Sequence, residues 1–209
     1  MLMVGITGRS GSGKSSVSGH YAALGYTVAD GDLISRQVTG PASPCLAELV
    51  EAFGSAILQA DGTLNRRALG ELAFKSPENN RKLVEITHPH ILAEMRRRAE
   101  AARAAGERLF FVDGAMIVGG PVQPMCDKIV LVVSEARLSI SRIILRDNIS
   151  KIAAQQRLSA QLPEAELRQA ADYIIENNGS LEQLGQQAEA VLAELLALTK
   201  PPDGEGVAQ

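Results

Sequence analysis

The chain has 209 residues, a formal net charge of −3, 45% hydrophobic residues, 3% aromatic residues and no Trp. That length suits one well-buried α/β domain with an insertion. The slight acidity and the scarcity of stacking rings argue against a nucleic-acid binder, which needs a basic face and aromatic platforms.

No apolar run approaches the ~20 residues of a membrane span. Cys45 and Cys126 stand outside any metal-ligand or disulfide spacing and read as reduced thiols. The N-terminus has neither a basic leader nor a cleavage pattern, so a cytoplasmic protein with no membrane and no nucleic-acid partner is expected. Oligomeric state is not legible.

Taken in order, Met1 to Thr7 is a short apolar strand that runs into Gly8-Arg9-Ser10-Gly11-Ser12-Gly13-Lys14-Ser15. Two glycines with four residues between them, Gly8 and Gly13, followed by Lys and Ser, have the spacing of a phosphate-binding loop. Successive backbone N–H groups converge on polyphosphate oxygens only where glycines permit the turn and the close approach. Lys14 adds a cation for the outer phosphates, Ser15 offers a hydroxyl to Mg²⁺, and the helix opening near Gly13 points its positive end at the same anion. The competing reading is a glycine-rich turn with a solvated Lys; it does not explain the strand before and the helical pattern (Val17, Tyr21, Leu24) after.

Tyr26 to Ala29 is a second strand with Asp30-Gly31-Asp32 at its carboxyl end, where ligands of open parallel sheets bind. An extended backbone there puts both carboxylates on one side; a turn with an N-cap for the next helix is the alternative. Residues 36–106 then show breakers (Pro41, Pro44) and helical runs at 46–53, 65–74, 77–87 and 89–105, with no strand pattern. This block reads as a helical insertion over the substrate side. The Arg96-Arg97-Arg98 run reads as a solvated helix face, and His88 as either a structural or a binding histidine.

Strand character returns at Leu109 to Val112, ending at Asp113, an acid placed either to bind Mg²⁺ or to start a turn. Lys128 to Val133 is a strand buried on both faces. Arg142 and Arg146 sit four apart on a helix over 135–146, and residues 147–163, with Lys151 and Arg157, suit a small lid; an exposed amphipathic helix is the alternative. Tyr173 to Ile175 is the fifth strand, followed by Glu176-Asn177-Asn178-Gly179, whose Asn177 amide is offered to an adenine edge or to a plain turn. Residues 181–198 form a closing helix and 200–209 a frayed tail.

With these residues assembled, the chain resembles dephospho-CoA kinases over nearly its full length. The matching stretches are G-I-T-G-R-S-G-S-G-K-S-S at 5–16, V-A-D-G-D-L-I-S-R at 28–36, F-G-S-A-I-L-Q-A-D-G-T-L-N-R-R-A-L at 53–69, His88-Pro89, Arg142 with Arg146-Asp147, Gln161, and A-D-Y-I-I-E-N-N-G at 171–179. The resemblance implies a three-layer P-loop α/β fold with a five-stranded, mainly parallel sheet. Its core spans 1–35 and 107–199, the substrate insertion 36–106 and the lid 147–163.

It also implies ATP with Mg²⁺, and dephospho-CoA as the substrate phosphorylated on its ribose 3′-hydroxyl. Gly11, Ser12, Gly13, Lys14, Ser15 and Ser16 would bind the ATP phosphates, with Asn177 near the adenine. Asp32 would be the base, beside Asp30; Lys14, Arg142 and Arg146 would serve transfer; Arg36, Arg66 and His88 would serve the substrate. Ser15 and Asp113 are the metal candidates. One departure is plain: where the family often reads P-L-L-x-E, this chain has Ala115 to Gly119, without the Pro and the Glu. Another small-molecule kinase of the nucleoside-monophosphate type and a nucleotide-binding regulator remain as alternatives.

Overall fold

The computed structural model describes residues 1–199, so the tail expected at 200–209 lies outside the described residues. The elements run β1 (Leu2–Thr7), α1 (Lys14–Ala23), β2 (Val28–Asp30), α2 (Gly31–Val38), α3 (Pro44–Phe53), α4 (Arg66–Ala73) and α5 (Pro77–Ala104). They continue with β3 (Leu109–Asp113), β4 (Lys128–Val133), α6 (Ala136–Asp147), α7 (Lys151–Ser159), α8 (Glu164–Ala170), β5 (Tyr173–Glu176) and α9 (Leu181–Ala197).

The five strands form one sheet in the order β2-β3-β1-β4-β5. β1 pairs in parallel with β3 (Val4 opposite Phe111) and with β4 (Ile6 opposite Val130), and β4 with β5. The chain leaves β1 towards one edge and returns to pair on its other side, so the carboxyl end of β1 is a switch point where such sheets open a ligand crevice. The Gly8–Ser15 loop sits at that end, and the register that sets Ile6 opposite Asp113 brings the end of β3 beside it.

Two compact units make up the chain: one comprises Met1–Ala29 and the chain from Ala99 onward, the other Asp30–Arg98. In the first, continuous apolar strands are covered by helices, as buried parallel strands require. Val4, Ile6, Phe111, Val130 and Val132 join Tyr21 of α1 and Leu184, Leu192 and Leu195 of α9 in one core. Tyr21 stacks on Phe111 with ring centroids 4.5 Å apart, and its buried hydroxyl donates to the Ala188 carbonyl at 2.9 Å. Each such large side chain contributes about 1.5–3 kcal/mol by leaving water. α9 starts on a capping box between Ser180 and Gln183, which satisfies two N–H groups the helix leaves open.

The second unit has its own core of Cys45, Leu46, Leu49, Ile57, Leu64 and Leu69. Its helices start where capping side chains allow: Ser43 accepts from the Leu46 N–H and Asn65 from the Ala68 N–H. This unit begins at Asp30 and ends at Arg98, earlier at both ends than the 36–106 block read from the helical pattern.

Three local expectations differ from the structure. Residues 77–104 form one helix with Pro89 inside it, where the sequence predicts a break. Pro89 is exposed, as is Glu85 one turn before it, so the carbonyl that loses its N–H partner can be solvated. The Asp30-Gly31-Asp32 stretch is not extended: Asp30 ends β2 and Gly31 is already helical. The segment before β5 holds a further helix, α8, which buries Leu167 against Leu131 and Val133 of β4. Its two turns carry too few apolar positions for a periodic signal.

Candidate active site

The loop between β1 and α1 is shaped by two glycines in the left-handed region, Gly11 (φ +76°) and Gly13 (φ +99°). A Cβ on Gly11 would lie 2.4 Å from the Ser139 carbonyl oxygen of α6, and one on Gly13 would lie 2.0 Å from Asn177 Nδ2. Conformation and space therefore both demand glycine at these positions. Gly13 stands at the N-cap of α1, and no side chain caps that helix. The helix start, with its partial positive charge, suits an anion. Lys14 opens the helix, and Ser15 and Ser16 follow it, exposed.

Behind the loop, Asn177 is buried at 5% exposure. Its Nδ2 donates to the Ser12 carbonyl at 2.8 Å and its own N–H donates to Val133 O. Arg142 of α6 donates to the Gly11 carbonyl at 3.2 Å, to the Asn177 carbonyl at 3.1 Å and to Asn177 Oδ1 at 3.3 Å. Both ends of the Asn177 amide are thus engaged by protein, and Arg142 ties β5's exit to the loop backbone. The Ser12 hydroxyl, 2% exposed, and Thr7 Oγ1 find no partner within the protein.

Asp113, at the end of β3, accepts from the buried Ser18 hydroxyl of α1 at 2.6 Å. Ser18 also donates to Lys14 O, so the carboxylate is pinned beside the first turn of α1. Further along, Arg146 and Arg157 converge on Asp147: Arg146 donates two bonds, at 2.8 and 2.9 Å, and Arg157 Nη1 donates a third. The Arg146 hydrogen bond is the main cause that holds the Asp147 carboxyl down at about 2, so the cluster stays ionised at neutral pH.

Among residues of the second unit, Asp30 caps α2, accepting from the Asp32 and Leu33 N–H groups at 2.8 and 3.0 Å. Asp32 lies exposed in the first turn, where a carboxylate suits the helix dipole. Arg36 is four residues on, hence on the same face. Arg66, first in α4, donates to Thr39 Oγ1 at 2.9 Å and to the Arg36 carbonyl at 3.4 Å. Burial and the neighbouring Arg36 charge depress its pKa, yet a guanidinium stays charged. The unit therefore gathers two carboxylates, Asp30 and Asp32, and two guanidinium groups, Arg36 and Arg66, around α2. His88 lies half-buried in α5, with its pKa lowered by desolvation.

A family described as CoaE, dephospho-CoA kinase, matches residues 2–183. A dephospho-CoA kinase of Corynebacterium efficiens is 40% identical over 200 residues, covering 96% of this chain and all of that one. The chain belongs to the dephospho-CoA kinase family. Solved structures agree: TT1252 from Thermus thermophilus superposes with a TM-score of 0.79 at 32% identity, covering 93% of this chain and 97% of that one. The dephospho-CoA kinase from Campylobacter jejuni gives 0.63 at 25% identity, with the same coverage.

Within this family framework, the departure at 115–119 has a local structural reading. Gly119 adopts φ +73° and its N–H donates to Gln123 Oε1 at 2.7 Å. A Glu there would have to take up a left-handed backbone that non-glycine residues avoid. The loop keeps its anchor through buried Ile117, while Met116 is exposed.

Arg9 and Ser139 are contacts of the kinase loop that sequence reasoning passes over. The Arg9 guanidinium donates to Leu158 O in α7, and Ser139 packs its backbone on Gly11. Arg9 occupies a free position of the loop motif, and a buried serine in a helix gives no periodic signal; a basic side chain inside an anion loop is the one hint.

No group of three or more His, Cys, Asp or Glu side chains among the described residues is arranged to hold a metal by itself. The donors near the loop, the Ser15 hydroxyl and the Asp113 carboxylate, suit instead the hard-ion pattern in which Mg²⁺ takes one or two protein oxygens and completes its shell with phosphates and water. No helix among the described residues is long and apolar enough to cross a membrane.

Proposed function

We propose that this chain transfers the γ-phosphate of ATP to the ribose 3′-hydroxyl of dephospho-CoA, giving CoA and ADP, the last step of CoA synthesis. The observation that carries the reading is the Gly8–Ser15 loop at the switch point of the sheet, in a chain that matches dephospho-CoA kinases over its length.

Phosphoryl transfer asks the protein mainly to position groups and stabilise charge. The loop N–H groups from Gly11 to Ser16 and the Lys14 ammonium bind the ATP phosphates. Arg142 and Asn177 act on the nucleotide by holding the Gly11 and Ser12 carbonyls, which fixes the shape of the loop. Ser15 and Asp113 are the residues that would hold Mg²⁺, which when bound neutralises charge on the phosphates. The Asp147-centred cluster holds Arg146 and Arg157 together on the lid side.

Asp32 accepts the proton of the 3′-hydroxyl. It is exposed, and its backbone N–H is held by Asp30, which fixes its place in the first turn of α2. Arg36, Arg66 and His88 bind the phosphate-rich part of the CoA precursor. The two free cysteines, Cys45 buried and Cys126 half-buried, suit a cytoplasmic setting.

The test is a coupled ADP-release assay with ATP, Mg²⁺ and a panel of acceptors. Release with dephospho-CoA and not with AMP or nucleosides is the expected result. Phosphorylation of AMP alone would indicate a nucleotide kinase, and ATP binding without acceptor-dependent release would indicate a regulator.

A further inference from the structure

The carboxyl end of α7 is fastened to the phosphate loop by two polar contacts far apart in sequence. The Ser10 N–H donates to Gln161 Oε1 at 2.8 Å, and the Arg9 guanidinium donates to the Leu158 main-chain oxygen. Leu158 O belongs to the last turn of α7, where carbonyls lack helical partners and carry partial negative charge; it also accepts from the Gln161 N–H at 3.2 Å. Cation and carbonyl, N–H and amide oxygen are thus matched at one seam.

The packing beneath the seam is loose. A cavity of about 30 Å³ lies there, lined by Arg9, Ser12, Ser139, Leu158 and Glu164 among others, with Arg9 Nε and Ser12 Oγ unpaired against it. Apolar packing holds the middle of the helix, where Ala154 and Leu158 are buried against Ile143 of α6; at the loop itself the two polar contacts add direction. Arg157, in the last turn of α7, meets Arg146 on Asp147. The segment from 147 to 161 is therefore held by that apolar cluster, by the ion pair that ties its end to its start, and by Gln161.

We infer that Gln161 is a positioning residue for phosphoryl transfer. With Arg9 it latches the lid helix onto the third residue of the phosphate loop, and so sets where Arg157 stands relative to the loop. The inference rests on the kinase reading above for its kinetic consequence, but the latch itself is a property of the ligand-free protein. Among the described residues, two hydrogen bonds give the seam its direction, so it responds to loss of one acceptor. A misregistered lid also admits water to the γ-phosphate.

The test compares the whole chain with Gln161→Ala and Gln161→Glu. Gln161→Ala is expected to lower kcat about tenfold while KM for ATP moves less than threefold, and to raise the fraction of ADP formed without CoA. Gln161→Glu keeps an acceptor for the Ser10 N–H and is expected to recover kcat and coupling, while its added negative charge raises KM for ATP. Wild-type kcat and coupling in Gln161→Ala would overturn the inference, as would a Gln161→Glu as slow and as leaky as the alanine variant.

If Gln161→Ala does not fold, Arg9→Ala removes the other arm and is read by the same criteria. Hydrogen exchange in the ligand-free protein separates the two readings. Faster exchange of the 151–161 segment in Gln161→Ala supports the latch even if wild-type protein leaves dephospho-CoA untouched; unchanged exchange refutes it even if the kinase is active.

Discussion

Asn177 donates from its buried side-chain amide to the Ser12 carbonyl at 2.8 Å, one residue before the glycine whose Cβ would strike that amide at 2.0 Å. The last strand of the sheet and the first loop of the chain thus hold each other, with Arg142 bonded to both. These contacts fix the shape of the Gly8–Ser15 loop.

Removing that clamp is expected to cost both stability and binding. Asn177→Ala leaves the buried Ser12 carbonyl without its donor, a loss of about 1–3 kcal/mol, read as a lower midpoint in urea unfolding. ATP affinity measured by calorimetry falls as well, because the loop is no longer held open. Arg142→Ala is expected to be non-additive with it, since the two share partners; fully additive losses would show that they act independently.

Gly13→Ala places a methyl group where the Asn177 amide stands and forces φ +99° on a residue with a Cβ. ATP binding is expected to weaken at least tenfold, about 1.4 kcal/mol or more. Because the obstacle is one side chain, the double variant Gly13→Ala with Asn177→Gly is expected to recover part of the folded-state stability, though not the strain at φ. No recovery would mean that the steric contact is not what limits the position.

His88 supplies a pH dependence. Desolvation lowers its pKa from the ordinary 6.5, so below that value the unfolded chain binds more protons than the folded one. Stability is then full above pH 6.5 and declines as pH falls towards the lowered folded value. Urea midpoints taken from pH 7.5 downward should fall, and His88→Gln should flatten that part of the profile. A profile unaffected by the substitution would remove His88 as its source.

Much of this architecture is legible in the sequence because the decisive signals are local. The loop motif, the uninterrupted apolar runs of β3 and β4 and the long periodicity of α9 each announce themselves within a few residues. The single helix through Pro89 is not legible, because whether a proline breaks a helix depends on whether the freed carbonyl reaches water, and that is a tertiary property. The start of α2 at Gly31 was balanced between an extended run and a cap. Asp30's bonds to two N–H groups decide it. The engagements of Asn177, Arg142 and Gln161 join residues more than a hundred positions apart, for which one sequence carries no spacing rule.

The account's central claim, that Asp32 takes the proton from the sugar alcohol while the loop grips the triphosphate, is tested most directly by single-turnover transfer in Asp32→Asn. Transfer from ATP to dephospho-CoA should slow by about 10²–10⁴-fold, with the ATP dissociation constant within twofold of wild type. Transfer at near wild-type rate in that variant would contradict the claim.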